Sequence, residues 1–488
     1  MRRATSGLLK GRLLATSALV ATALLVSPVA RAGGPSGGSV AVGSATISTP
    51  NANKTVVDQS SNKALINWNS FSIPNGSSVV FNQPTANSLT VNRVTGPNAS
   101  FIDGQMLANG NIWLLNSNGV MFGHGAQVNV GGLLATTSDI TDDDFRKGRY
   151  RFTKPSANAD AAVVNQGTIT AAKGVSVGLS ATQVSNEGVI RADLGSVVLG
   201  GARTFTVDLD GDNLIRYQVG KPVAQTPKDA NGAAAPALVS NSGTISANGG
   251  SVLVTARAAR NIENNVINNT GVVEANSVSA HNGEIVFDAG PDGTVNAGGS
   301  ISASGRGQGE TGGSVSLTGG TVNVTDGATI DASGDRGGGT VQIGGGLHGQ
   351  GSIANAQTTN VGKASISADA VTQGEGGKIS VWSDGQTTFS GNASAKGGAD
   401  GGNGGIVETS GEKLHVGSDA KVDTSAAQGI TGTWLLDPQS ITIQARGHSG
   451  ASAGTTAGND QFSDNGNNNT ILDSTIQTAL GKIGRAKV

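Results

Sequence analysis

Two stretches carry glycine or acidic residues at spacings that could bind a cofactor or a metal. "GQGETG" (307–312) has the glycine spacing of a dinucleotide-binding loop, but no helical segment follows it to receive the phosphates. Asp208, Asp210 and Asp212 alternate as in a calcium loop, yet Gly211 stands at the wrong place for an EF-hand. We therefore expect neither stretch to hold a cofactor or a metal ion.

Other residues that often serve in enzymes give no stronger case for catalysis. "GGADGGNGG" (397–405) lacks the tandem nonapeptide spacing of calcium-binding β-rolls. There is no cysteine, and no Ser-His-Asp arrangement can be inferred. We predict no catalytic, cofactor-binding or metal-binding residues. The five histidines are scattered without the spacing of metal ligands: His124, His281, His348, His415 and His448.

The composition argues for a folded chain and against a nucleic-acid partner. Gly accounts for 76 of 488 residues and aromatic residues for only 3%, which alone would suit a disordered chain. Hydrophobic residues still reach 36%, however, and the net charge of -2 does not hold the chain open. With a sequence pI near 6.2 and no strong basic patch, we expect no nucleic-acid partner.

The first 32 residues have the organisation of an export signal. A basic segment precedes an apolar core from Leu13 to Val26, and Ala30 and Ala32 form an A-x-A cleavage pattern before Gly33. A transmembrane anchor is the alternative, but the apolar core is well short of the roughly 20 residues that a span needs. We predict a signal peptide over 1–32, read by the Sec export machinery and cleaved before Gly33.

Short repeats dominate the remainder of the chain. Asn-x-Gly followed by a β-branched pair recurs as "NQGTI" at 165, "NEGVI" at 186, "NSGTI" at 241 and "NTGVV" at 269. "GGSVSL" at 312, "GGTVQI" at 338 and "GGKISV" at 376 repeat a glycine turn before an alternating strand. Such strands cannot bury a face alone, whereas stacked coils share one continuous core.

The fold that these repeats predict is all-β: a single-stranded, right-handed parallel β-helix of the pectin-lyase type, with an N-terminal cap and protruding β-hairpins. At roughly 20 to 25 residues a coil, about 20 coils are expected, with asparagines at equivalent positions forming amide ladders. A sandwich of antiparallel hairpins is the main competitor.

Three segments interrupt the repeats. Residues 202–220 alternate apolar and polar residues around Asp-Gly-Asp-Asn, which predicts a protruding hairpin. Residues 141–152 crowd charges beside aromatics, and we expect an exposed loop or strand there. Near the end, 471–484 is predicted as a short helix capped by Asp473. Because no further strands follow, we expect the chain to be truncated at this end.

The densest hydrophobic block surrounds an asparagine turn, in "NIWLLNSNGVMFG" (111–123). Asn116, Ser117, Asn118 and Gly119 form a tight corner, since Asn and Gly tolerate turn conformations and Asn side chains bond nearby backbone. Ile112, Leu114, Val120 and Phe122 are expected to point inward, and Trp113, Leu115 and Met121 outward. An apolar outer face requires a covering layer.

The stretch from 80 to 140 resembles the secretion domain of two-partner secretion exoproteins, the filamentous haemagglutinin N-terminal family. The resembling motifs are "NRV" at 92, "IDG" at 102, "ANGNIWLLNSNGVMFG" at 108 and "VNVGGLLATT" at 128. The family pattern at the turn is Asn-Pro-Asn-Gly-Ile, whereas this chain has Asn116, Ser117, Asn118, Gly119 and Val120. Serine loses the backbone angle that proline presets.

The resemblance implies export through the periplasm and then through an outer-membrane β-barrel transporter, whose periplasmic domains recognise the N-terminal domain. It implies a role for residues 116–120 in folding and secretion, and none in catalysis. We therefore divide the chain into a signal peptide (1–32), a secretion domain (33–290), a β-helix repeat region (291–445) and a linker with a short helix (446–488).

Three function classes follow. The first is a filamentous haemagglutinin-like adhesin, a monomer secreted or held at the surface of a Gram-negative bacterium, with a host or bacterial surface receptor. The second is a secreted scavenger of haem or of a haem carrier, for which the 202–220 hairpin is a weak candidate site. The third, a β-helix enzyme acting on polysaccharides, would need clustered charged residues on one coil face, which the coils do not show.

Overall fold

The computed structural model describes residues 34–208, 216–228, 232–259 and 265–438, together with three short strands at 442–444, 470–472 and 486–487. The predicted signal peptide and its cleavage residues Ala30, Ala32 and Gly33 lie outside these residues, as do the hairpin tip at 209–215 and the helix predicted from Asp473 onward.

Most strands belong to three stacks, called sheets A, B and C, and most coils contribute one strand to each of them. Sheet A contains β1 (Ser39–Val42), β4 (Lys63–Trp68), β6 (Leu89–Val94), β9 (Asn111–Asn116), β12 (Gly132–Thr136), β16 (Val177–Ala181), β19 (Ser196–Gly201), β24 (Ser251–Ala256), β27 (Glu284–Asp288), β30 (Ser314–Thr318), β33 (Thr340–Ile343), β36 (Lys378–Phe389), β38 (Ile406–Val416), β40 (Thr433–Leu435) and β43 (Ala486–Lys487).

Sheet B shares the C-terminal halves of the long strands β36 and β38 with sheet A. Its other strands are β7 (Ser100–Ile102), β10 (Val120–Phe122), β14 (Ala162–Asn165), β17 (Gln183–Asn186), β22 (Val239–Asn241), β25 (Asn265–Asn269), β28 (Thr294–Ala297), β31 (Thr321–Val324), β34 (Thr358–Val361), β41 (Thr442–Gln444) and β42 (Thr470–Leu472).

Sheet C is entered once by every coil. Its strands are β2 (Ala45–Asn51), β3 (Lys54–Gln59), β5 (Ser78–Asn82), β8 (Gln105–Ala108), β11 (Gln127–Val130), β15 (Thr168–Ala171), β18 (Val189–Arg191), β23 (Thr244–Ser246), β26 (Val272–Glu274), β29 (Ser300–Ser302), β32 (Thr329–Asp331), β35 (Ser365–Ser367), β37 (Asn392–Ser394) and β39 (Lys421–Asp423).

Outside the stacks lie a small antiparallel sheet, one helix and one short turn of 3-10 helix. They are β13 (Arg151–Phe152), β20 (Phe205–Asp208), β21 (Arg216–Val219), α1 (Asp142–Arg146) and the turn Leu347–Gly349.

In-register stacking of apolar side chains builds the core. In sheet C, Ile245 pairs with Val273, which pairs with Ile301, and the column continues through Ile330 and Ile366. All five are at most 1% exposed. Each coil therefore presents its β-branched residue to the same residue type above and below, and the predicted parallel β-helix is confirmed.

The coil count expected from the sequence was too high. Sheet C holds fourteen strands in the described part of the chain, against the expected 20 or so. Asn241 and Asn269 occupy equivalent places on adjacent coils 28 residues apart, which is longer than the assumed coil. Insertions at 137–161 and 202–238 take up further residues.

The N-terminal end is closed by antiparallel strands. β1 pairs antiparallel with β4, and β2 pairs antiparallel with β3, whereas the coils beyond them pair in parallel. The outermost strand, β2, carries the exposed Pro50, which lacks a backbone N–H for further pairing. The predicted cap is therefore present, and it limits edge-to-edge association.

Buried asparagines form the expected ladder at the end of the sheet B strands. The side-chain amide of Asn165 donates to Asn186 (2.8 Å), Asn186 to Asn241 (2.7 Å) and Asn241 to Asn269 (2.8 Å). The last amide donates to the carbonyl of Gly298 at 2.7 Å. None of the four side chains is more than 3% exposed, so each depends on its neighbour for hydrogen bonding.

The replacement Asn241→Ala is expected to lower the free energy of unfolding by about 1–3 kcal/mol, because it leaves the side-chain oxygen of Asn269 buried without its donor and the Asn186 amide with only a 3.5 Å bond to the Gly188 carbonyl. Asn323→Ala is the matched control: it breaks a similar but partly solvent-accessible ladder that joins Asn296 and Asn360. Urea midpoints would measure both, and equal shifts would contradict the importance of burial.

Candidate secretion site

Asn116 fastens the corner between sheets A and B to the coil beneath it. Its side chain is 1% exposed, and its amide donates to the carbonyl of Asn98 and to the hydroxyl of Ser100, both at 3.0 Å. Its carbonyl oxygen accepts the backbone N–H of Asn118 at 2.9 Å. Every polar atom of this buried amide is therefore used, and three segments meet at one side chain.

The rest of the motif completes the turn. The N–H of Gly119 donates to the carbonyl of Asn116 at 3.0 Å, and the amide of Asn118 reaches the carbonyl of Gly96 at 3.0 Å. Gly119 has φ +112°, a conformation that favours glycine, and a Cβ there would lie 3.1 Å from the carbonyl oxygen of Ala162. Val120 then starts β10 and is 2% exposed.

The side chains of β9 alternate between the interior and the outer face as the sequence predicted. Ile112 and Leu114 lie in the interior of the β-helix, whereas Trp113 and Leu115 belong to a second apolar cluster on the outer face of sheet A. Val91 and Leu134 flank Trp113 on the neighbouring strands of that face. The predicted need for a covering layer is therefore confirmed.

The covering layer consists of α1, β13, β20 and β21. Phe145 and Phe152 are 0% exposed, so the expectation of an exposed loop or strand over 141–152 holds for charged residues such as Arg146 and Lys147 but was wrong for these two aromatics. The two strands of the hairpin predicted within 202–220 are present, and their described residues pack on sheet A: Phe205 and Val207 are each 2% exposed. The outer face of sheet A is apolar enough to bury side chains from both insertions. The sequence pattern within each insertion could not reveal this contact.

Aromatic rings run in sequence through this layer. Trp113 meets Tyr150 edge-on at 4.9 Å between ring centroids, and Phe152 stacks on Phe205 at 4.4 Å. Tyr217 follows at 4.9 Å from Phe205, with its hydroxyl 2.8 Å from that of Ser180. Burial raises the pKa of the Tyr217 hydroxyl. A chain with few aromatics thus places several of them at one site.

Arg93 joins the covering layer to the coils, a role that the sequence did not disclose. Its guanidinium donates to Asp139 (2.8 Å), to Asp142 (2.7 Å) and to the carbonyl of Ile140 (2.6 Å). The side chain is 14% exposed, so these charged hydrogen bonds are partly shielded from water. The "NRV" motif marked Arg93 as part of the family resemblance, but it could not identify the partners, which lie in an insertion more than forty residues away.

A second group of ion pairs lies on the solvent side of the covering layer. Asp144 accepts hydrogen bonds from Arg149 at 2.7 Å and Arg151 at 3.0 Å, and the bonds from Arg149, then Arg151, lower the pKa of its carboxyl to about 2. The amide of Asp144 also donates to the Thr141 hydroxyl, which caps α1. The acidic and basic residues of 141–152 therefore bond mainly to one another.

The structure describes only part of the two stretches with cofactor-like spacing. After "GQGETG" the chain enters strand β30 and not a helix. Asp208 ends β20, while Asp210 and Asp212 lie outside the described residues. Within the described ranges, no three His, Asp or Glu side chains cluster as metal ligands would, and no helix is long and apolar enough to cross a membrane.

A capped parallel β-helix with an asparagine corner and a covering layer defines a class of secreted exoprotein domain, and comparisons with known proteins agree. Residues 33–303 match the TPS secretion domain family, and the chain belongs to that family. The fold is similar to the crystal structure of the HMW1 secretion domain from Haemophilus influenzae, at 34% identity and a TM-score of 0.69. That likeness covers 83% of this chain and 100% of the other.

Two curated relatives are heme/hemopexin-binding proteins of Haemophilus influenzae. They are 35% and 31% identical over 262 and 268 residues, which is 52% and 51% of this chain. The match covers 27% of the length of each relative. The family is one of secretion domains of exoproteins and not a family of enzymes.

The replacement Ser117→Pro is expected to raise the free energy of unfolding by about 0.4–1 kcal/mol, because it restricts the unfolded chain at a position that suits proline. Ser117 is the second residue of a turn closed by the Gly119 N–H, and its exposed side chain is not needed for that bond. The carbonyl of Ser117, which accepts a bond from Ser156, is retained. Ser117→Ala is the control, and a lower urea midpoint for the proline variant would contradict the turn geometry.

Acid should weaken the covering layer through Asp144. Because the folded state lowers its pKa to about 2, the stability it contributes is present above its ordinary pKa near 3.8 and is lost as pH falls toward 2. The urea-midpoint difference between the wild type and Asp144→Asn should therefore shrink from pH 5 to pH 2. Asp143→Asn, whose carboxylate is 59% exposed, should show a smaller difference at every pH.

Proposed function

We propose that the chain is an exoprotein exported by a two-partner secretion system, with the periplasmic domains of an outer-membrane β-barrel transporter as its partner. The observation that carries the proposal is the match of residues 33–303 to the secretion domain family on a capped β-helix. The route begins with Sec-dependent export and removal of residues 1–32 before Gly33. The product is secreted or held at the surface of a Gram-negative bacterium.

Asn116, Ser117, Asn118, Gly119 and Val120 serve this export by folding the corner between β9 and β10. The bonds from Asn116 and Asn118 to the coil beneath support this role, since they set the position of β10 on β7. The functional secretion domain comprises residues 33–290, followed by a repeat region over 291–445 and a segment over 446–488 that includes the short strands β42 and β43. The stacking of coils continues through residue 290 without a break in sheet C.

The double replacement Asn116→Ala/Asn118→Ala is expected to abolish release into the medium. The double replacement removes the hydrogen bonds to Asn98, Ser100 and Gly96 and so loosens the corner. Release should be lost either because the transporter engages this corner or because later coils fold on it. The full chain would be expressed with and without its cognate transporter, and culture medium and periplasm would be compared by immunoblot.

Ser117→Ala is the matched control for that experiment, because it changes the same turn without removing a bond of either asparagine. Transporter-dependent release of the wild type and the control, with loss in the double variant, supports the proposal. Release that needs no transporter contradicts the two-partner route. Unchanged release of the double variant contradicts only the role of the corner.

Beyond secretion, the rod of stacked coils acts as an adhesin-like structure that displays a binding surface to a host or bacterial receptor, and does not act as an enzyme. The repeat region supports this, since its outward residues in sheet C are mostly Ser, Thr and Asn. The purified chain is expected to bind cells saturably. It is also expected to be a monomer, and size-exclusion chromatography with light scattering would measure its oligomeric state.

Haem or haem-carrier binding is the second candidate, suggested by the printed name of two relatives. The matched segment is about a quarter of those proteins. In this chain the described histidines are His124, His281, His348 and His415, and all are exposed. A hemin titration would separate the two readings: a saturable shift of the haem absorption band favours the scavenger, and its absence favours the adhesin.

A further inference from the structure

Glu408 is a buried carboxylate on the outer face of sheet A, in the repeat region. Its side chain is 0% exposed, while its strand neighbour Val407 points into the core. One carboxyl oxygen, Oε1, has no hydrogen-bond partner, and neither does the buried hydroxyl of Ser380, its register partner on β36. Burying a carboxylate without hydrogen-bond partners costs free energy, so the segment that covers Glu408 influences whether its carboxyl group is protonated.

The cover is segment 344–357, which joins β33 to β34. In the coil beneath, the equivalent strands β30 and β31 are joined by residues 319–320 alone. The longer segment lies against the Trp382 ring, since a Cβ placed on Gly349 would be 2.6 Å from that ring and one on Gly345 would be 2.7 Å from it. The insertion therefore covers the outer face of later coils.

A hydrogen bond links the middle of this segment to Glu408. The backbone N–H of His348 donates to Glu408 Oε2 at 2.8 Å, across 60 residues of sequence. His348 has φ +57° and ψ 25°, a strained conformation for a residue other than glycine. Its imidazole Nδ1 lies 4.0 Å from Oε1. Such strain persists where surrounding contacts hold it, and the bond to the Glu408 carboxyl group is one of them, beside the turn bonds from Gly349 and Gln350.

We propose that segment 344–357 is a lid over Trp382, held shut by the bond from the His348 N–H to Glu408, and that protonation of the Glu408 carboxyl favours the closed lid. Closing removes the carboxyl from water and leaves Oε1 without a donor, which a neutral acid tolerates better than a carboxylate. Opening returns Glu408 to water and relaxes His348. The lid lies beyond the residues that match the secretion domain family, so it is a property of the rod.

The direction of the pH effect follows from burial. Burial is the largest influence and raises the pKa of Glu408; the nearby Asp437 also raises it, while the His348 contacts and a bond from Ser410 lower it. A raised pKa in the closed state means that closure is fully favoured below the ordinary pKa of glutamate and is lost as pH rises through the raised value.

Amide hydrogen exchange of residues 345–350 in the full chain tests the lid, because the His348 N–H is the donor of the hydrogen bond that holds the segment closed. Between pH 4 and 9 the wild type should lose protection relative to Glu408→Gln, by up to about tenfold per pH unit where Glu408 titrates. The glutamine variant imitates the protonated acid and should stay closed throughout. The comparison at each pH cancels the intrinsic pH dependence of exchange.

Two further variants make the result decisive. Glu408→Ala lacks the acceptor and should be unprotected at every pH, with peptides from β18 and β23 confirming that the coils remain folded. His348→Asn keeps the backbone N–H and tolerates positive φ, so it should titrate like the wild type. Identical protection of the wild type and Glu408→Gln at all pH values would overturn the proposal, as would loss of the pH dependence in His348→Asn.

Discussion

Everything in this molecule depends on in-register stacking of one coil on the next, because the backbone N–H and C=O groups of each coil find their partners in its neighbours. Stacking brings equivalent residues together, so a residue must tolerate its own kind directly above and below. β-Branched residues do so by packing in columns such as Ile245, Val273 and Ile301. Buried asparagines do so by bonding amide to amide, as Asn186 and Asn241 show.

The same constraint explains how the secretion domain differs from the repeat region. In the repeat region the outward residues of sheet C are mostly Ser, Thr and Asn, and the inner face is apolar. In the first coils sheet A is apolar on both faces, and Trp113 on its outer side requires an added layer. That layer is held by burial of Phe145 and Phe152 and by the bonds of Arg93. The N-terminal region is therefore the part with two hydrophobic clusters and a defined outer surface.

The parallel β-helix, its cap, the inward and outward faces of β9 and the asparagine ladder could be predicted, because each rests on local alternation and on repeats along the chain. The location of the covering layer could not. Residues 141–152 alone look like an exposed charged segment, and Phe145 and Phe152 become buried only because Trp113 lies opposite. The role of Arg93 was hidden for the same reason, since its partners come from an insertion in another coil. The coil length was underestimated because insertions enter without disturbing the stacking.

The antiparallel cap has a consequence for how such a chain can change in length. It fixes one end of the stack, while every later coil needs only the coil before it as a template. Loss or gain of one whole coil would move all that follows by a single step of about 4.8 Å and preserve each column of side chains. Loss of a single residue within a strand would turn its inward residues outward. The natural unit of evolutionary change in this rod is therefore the coil, and the tolerated sites for smaller changes are the corners, where segments such as 344–357 have entered.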